Sequence, residues 1–135
     1  MSIPDLTRYS LALYKGDRQL FVSIEEKLKP LVECVFRYRG KIEGCLLYDK
    51  VVGLAAAKLI VYSGMVSRVV TPLASQPAID ELDRNDIDHD VFSVQENILG
   101  DDGVSICLME QRALKQPDNE KFFEEMKNLM GFSAK

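Results

Sequence analysis

The chain has 135 residues and a mass of 15.3 kDa, the size of one domain. Apolar residues make up 47% and charged residues 28%, enough for a real core, so collagen-like, mucin-like and strongly disordered classes are excluded. The net charge of −4 and isoelectric point near 5.0 argue against a general nucleic-acid binder, whose surface is usually basic.

Ser10-Leu11-Ala12-Leu13-Tyr14 alternates, Lys15-Gly16-Asp17-Arg18 supplies a turn, and Leu20-Phe21-Val22 follows, which predicts a β-hairpin. Ser23 and Glu26 form a capping-box pair. Pro30 fits only a first helical turn, so the next helix is predicted to start near it. Leu31, Cys34, Val35 and Tyr38 then recur at helical spacing, and Gly40 is a natural stop. Gly44 to Tyr48 reads as a short strand or extended approach. Asp49 is the predicted N-cap of a helix running from Val51 to Ser63, with Gly64 just beyond its end. Its apolar residues surround nearly the whole circumference, so it is predicted to be the central, buried helix.

Val66 to Thr71 is rich in β-formers and is predicted to end at Pro72. Ser75 caps the next helix, with Pro77 in its first turn and Ile79 and Leu82 facing the core. Asn85-Asp86 breaks it, and Val91-Phe92-Ser93-Val94 reads as a strand. Asp101-Asp102-Gly103 is a turn, Val104 to Cys107 a short extended piece, and Leu108 to Leu114 a helix. A last helix follows Pro117-Asp118, with Phe122, Met126, Leu129 and Met130 on one stripe suited to core or subunit contact. Strands alternating with helices imply an α/β sheet whose middle strands are parallel through right-handed crossovers.

No signal-peptide pattern and no apolar run near twenty residues is present, so a chain with no membrane contact is expected. Cys34, Cys45 and Cys107 are odd in number and widely spaced, which fits a reducing cytoplasm rather than a disulfide framework. Three Cys and the single His89 are too few and too scattered for a dedicated zinc site. Charge divides unevenly: residues 1–68 carry net +4 and residues 69–135 net −8. Solvated faces explain this, and opposed patches also allow head-to-tail self-contact in a homo-oligomer.

Four constellations carry possible chemistry. Asp86-Ile87-Asp88-His89-Asp90 has alternating carboxylates, but Val91 and Asn97 stand where a calcium loop needs Gly and Glu, so an acidic turn is expected. Arg37-Tyr38-Arg39-Gly40-Lys41 places cations in a last helical turn, where they complement the helix dipole. Asp49-Lys50-Val51-Val52-Gly53 opens the central helix, and a helix N-terminus with free N–H groups can hold an anion, with Lys50 adding charge and Gly53 close approach. Cys107 with Glu110 or His89 is a candidate nucleophile and base, although a buried inert Cys is the plainer reading.

Asp49-Lys50-Val51-Val52-Gly53 followed by Ala55-Ala56-Ala57, then Ser75-x-Pro77-Ala78, then Cys107-x-Met109-Glu110, resembles the DUF1893 family of small uncharacterised prokaryotic proteins. The resemblance spans about residues 8 to 114. It implies a cytidine deaminase-like fold, a three-layer α/β/α domain with a mixed five-stranded sheet, over residues 1–114, with 115–135 as a C-terminal helical extension. Active deaminases of that fold hold Zn²⁺ through a His/Cys-x-Glu and a Pro-Cys-x-x-Cys motif at two helix starts. The matching places, near Gly53–Ala57 and Ser75–Ile79, carry alanines, a glycine and a serine, so no cofactor is expected. Leu54 and Leu108 depart from the family's common Lys and Pro. The expected function is zinc-free binding of a small anionic or nucleotide-like ligand at Asp49, Lys50, Gly53 and Ser75. The alternatives are an enzyme of other chemistry using Cys107 and Glu110, or a self-associating or partner-binding module.

Overall fold

The computed structural model describes residues 6, 8–25 and 27–132. Its elements are β1 (Leu11–Lys15), β2 (Arg18–Ser23), α1 (Lys29–Tyr38), β3 (Cys45–Asp49), α2 (Leu54–Ser63), β4 (Val66–Ser75), α3 (Gln76–Arg84), β5 (Asp88–Gln95), α4 (Leu108–Lys115) and α5 (Asn119–Leu129). The strands form one sheet in the order β2-β1-β3-β4-β5. β1 pairs antiparallel with β2 and β3, while β3–β4 and β4–β5 are parallel. The sheet is therefore mixed and five-stranded, and the chain is of the α/β class. No helix of the described residues is long and apolar enough to cross a membrane.

Alternation along the strands separates two faces. Leu11 and Leu13 of β1, Leu47 of β3 and Val69 of β4 join residues from all five helices in one buried cluster. Ala12, Tyr14 and Tyr48 point the other way, into a smaller cluster that includes Leu46 and Val70 and has no helical member among the described residues. Among the described residues the second face of the sheet thus carries no helix, where the resemblance implies a third layer. The physical reason is handedness. The β3–α2–β4 and β4–α3–β5 crossovers run in the same direction along the sheet, so right-handed connections put both helices on one face, and α1, α4 and α5 all pack against α2 there.

α2 is the central helix, with Ala55 to Ile60 all buried. Its three alanines permit the close approach of four neighbouring helices. The long strand predicted to stop at Pro72 runs on to Ser75. Pro72 sits within that strand as a gap: the β4–β5 register passes from Thr71–Val91 to Leu73–Ser93 with no pair at Pro72 itself, while the β3–β4 ladder ends at Tyr48–Val70. Val52 then takes over: its N–H donates to Leu73 O at 2.9 Å, and Ser75 N–H donates to Val52 O at 3.1 Å.

The N-cap of α2 is also corrected, from Asp49 to Gly53. Asp49 is the last residue of β3, and three residues, Lys50 to Val52, separate it from the Gly53 cap. Glu26, half of the expected capping box, lies outside the described residues. Ser75 caps α3 as expected, its hydroxyl accepting from Ala78 N–H at 3.3 Å. In α5, Phe122, Phe123 and Met126 are buried in the main cluster, whereas Leu129 is exposed. Asp118 caps this helix through Lys121 N–H at 3.1 Å.

Candidate functional site

Strands β3 and β4 end beside the N-termini of α2 and α3, the end at which open α/β sheets bind ligands. Four backbone N–H groups at a helix start have no partner within the helix, and they carry partial positive charge. At α2 a side chain 56 residues away supplies the partner. Leu54 N–H donates to Glu110 Oε2 at 2.6 Å and Ala55 N–H to Glu110 Oε1 at 2.8 Å. Both carboxylate oxygens of α4 are thereby spread across the first turn of α2.

Gly53 makes the approach possible. A Cβ built on it would stand 2.6 Å from the Glu110 carboxylate carbon and 2.6 and 2.7 Å from its oxygens, well inside van der Waals contact. Glu110 is only 6% exposed. Burial raises its pKa, and the two N–H bonds oppose that rise.

Asp49 ends β3, four positions before Gly53. It is buried, and burial pushes its carboxyl up to about 8 against the pull of the Val51 and Lys50 backbone N–H groups. Burial thus favours its neutral form, which would add little negative charge to the site. Lys50 is exposed. Ser75 is fully buried with its hydroxyl committed to α3. The four residues expected to bind ligand therefore gather at one end of the sheet in unequal roles. Gly53 gives clearance, Lys50 reaches solvent, and Asp49 and Ser75 lie below the surface.

The residues expected to perform covalent chemistry are engaged elsewhere. Cys107 is half-buried and caps α4 with its backbone, its C=O accepting from Gln111 N–H at 3.0 Å. Glu110 faces α2, and His89 Nε2 lies 2.8 Å from Asp83 Oδ1. Cys34 and Cys45 are buried, and burial pushes the Cys34 thiol up to about 12. The donor set at the two helix starts does not fit zinc: Leu54 and three alanines offer no ligand atom, and the Ser75 hydroxyl is engaged. Among the described residues no three His, Cys, Asp or Glu side chains converge as metal ligands.

Two arrangements lay outside what sequence reasoning found. Lys58, in the middle of α2, buries its stem and faces Glu81 and Asp118 where α2, α3 and α5 meet. Glu81 also accepts from Arg84 at 2.7 Å and Asn119 at 3.2 Å. At the opposite end of α2, Arg39 lies 4.0 Å over the Tyr62 ring and donates through Nε to Tyr62 O at 3.2 Å. This borders an open groove of about 470 Å³ between the C-termini of α1 and α2. Arg39 thereby satisfies one carbonyl in the last turn of α2, where a cation complements the helix dipole.

Comparison with known proteins gives one consistent relationship. The family model described as a domain of unknown function, DUF1893, matches residues 5–130. No curated protein matches the chain. A crystal structure of a DUF1893 family protein, TM1506 from Thermotoga maritima, is 28% identical and superposes with a TM-score of 0.82. The match covers 91% of this chain and 82% of that one.

Proposed function

The chain belongs to the DUF1893 family, a domain of unknown function, and from that premise we propose a zinc-free relative of the cytidine deaminases that binds a small anionic or nucleotide-like ligand without deaminating it. The observation that carries this reading is the pair of Leu54 and Ala55 N–H bonds to the Glu110 carboxylate. They support an anion-sized niche at the start of α2, held by the chain's own carboxylate. An incoming carboxylate or phosphoryl oxygen takes these N–H groups when the Glu110 side chain rotates away. Lys50 attracts it from solvent, and the protonated Asp49 does not repel it. Gly53 leaves room for either occupant.

The enzymatic alternative has less support, because both bases considered for Cys107 have other partners. Partner binding is favoured by a separate feature, the outer edge of β5, described below.

The test uses Glu110→Ala, which empties the niche. Acetate, inorganic phosphate and cytidine monophosphate are titrated by calorimetry and thermal shift. The reading expects these anions to raise the variant's melting temperature and to bind it more tightly than the wild type. Adding Gly53→Ala, whose methyl fills the niche, should abolish the response. A Glu110→Ala protein that folds and ignores all three anions would overturn the reading.

A further inference from the structure

The two edges of the sheet are not alike. At the β2 edge the Tyr38 hydroxyl of α1 donates to Leu20 O at 2.9 Å, and Arg37 reaches over the Phe21 ring at 5.9 Å. That edge thus has one carbonyl bonded and one ring shielded by α1 side chains. β5 runs for eight residues and pairs on one side only, with β4. Among the described residues no backbone hydrogen bond satisfies its outer groups. Natural edges are blunted by shortness, proline, lysine or bulges. β5 is long and has no proline, lysine or bulge; its charges, Asp88 and Asp90, lie in its first half, and its second half carries Phe92, 85% exposed, and Val94, 50% exposed.

Charge decides what such an edge can accept. Asp88 and Asp90 share the strand face of Phe92 by alternation, and Arg68 of β4 bridges both, at 3.7 and 2.8 Å. Across residues 80–102 there are nine acidic residues and one basic residue, Arg84. Pairing β5 with the same strand of a second copy would bring together two surfaces that each carry this excess of negative charge. A basic segment meets the opposite situation.

We propose that the outer edge of β5 is a strand-addition site for a basic, extended segment of another polypeptide. The incoming backbone completes the unpaired ladder. On the helix-free face its alternate side chains are Lys or Arg opposite Asp88 and Asp90, then apolar opposite Phe92 and Val94. This site is independent of the niche at α2.

The probe is a blocked peptide, Lys-Thr-Lys-Thr-Val-Thr-Val, with a twin carrying Glu for Lys. Saturable binding of the basic peptide is expected, weakened by about 0.5 M salt, with slowed amide exchange confined to residues 88–95. The Glu twin should not bind. Phe92→Lys, at a position too exposed to affect folding, should weaken binding roughly tenfold by removing a cross-strand contact and adding repulsion. Failure of the basic peptide to bind, or equal binding of the twin, overturns the proposal. So does a wild-type dimer that Phe92→Lys dissociates, which would assign the edge to a second copy.

Discussion

The carboxylate carbon of Glu110 lies 2.6 Å from the point where a Cβ on Gly53 would stand. One residue's missing side chain and another's long one are thus halves of a single contact at the start of α2. Gly53→Ala must displace the carboxylate or distort the helix start. A loss of roughly 2–4 kcal/mol is expected, from overpacking and two freed N–H groups. Urea denaturation checks it; a loss below about 0.5 kcal/mol, the level of a neutral surface change, would mean that the contact is dispensable.

Removing the carboxylate isolates the second part of that cost. Glu110→Gln keeps the size but offers one acceptor oxygen where there were two. It should cost about 1–2 kcal/mol, the scale of one strained or lost bond to a buried N–H. Amide exchange at Leu54 or Ala55 should quicken relative to the middle of α2.

Asp49 sets a pH dependence. Its folded pKa, about 8, stands above the ordinary aspartate value near 4, so the folded state holds a proton that the unfolded state releases. Its contribution is fully present below about pH 4 and is lost as pH rises towards 8, at about 1.4 kcal/mol per pH unit as an upper bound. Asp49→Asn should flatten the stability profile across that window and stabilise the protein at pH 8. An unchanged profile in the variant would assign the slope to other groups, of which Glu110, also raised, is the first candidate.

The last helix is expected to matter for stability. Phe122 is fully buried between α5 and the rest of the core. Phe122→Ala should cost about 3–5 kcal/mol, the range for a large aromatic lost from a packed core. A smaller cost, below about 1 kcal/mol, would show that α5 docks loosely.

Native thiols should alkylate in order. Half-buried Cys107 should react with iodoacetamide before Cys34 and Cys45, which are buried, and Cys34 should be slowest because burial holds its thiol protonated. Mass spectrometry of partial digests reads the order. Early labelling of Cys34 would mean that α1 opens readily.

Local signals in the chain are legible. Ser75 before Pro77, Gly64 after an apolar helix, and the alternation of β1 each depend on residues within a few positions, and the structure has them where they were expected. Asp49 misled because it is a good capping residue next to a helical pattern. Val52 is held to Leu73 and Ser75 instead, so the cap lies four residues later, at Gly53. Pro72 usually ends a ladder, and here the β4–β5 pairing skips it and resumes at Leu73.

The sequence alone determined the mixture of strands and helices, the burial of α2 and the presence of a glycine at its start, since these follow from periodicity, capping and turn chemistry within short windows. Only the tertiary structure decided that all five helices share one face, that β5 is left with a bare edge, and that the anion at α2 is Glu110. Each of these joins residues far apart in the chain, and only the packed fold brings them within bonding distance.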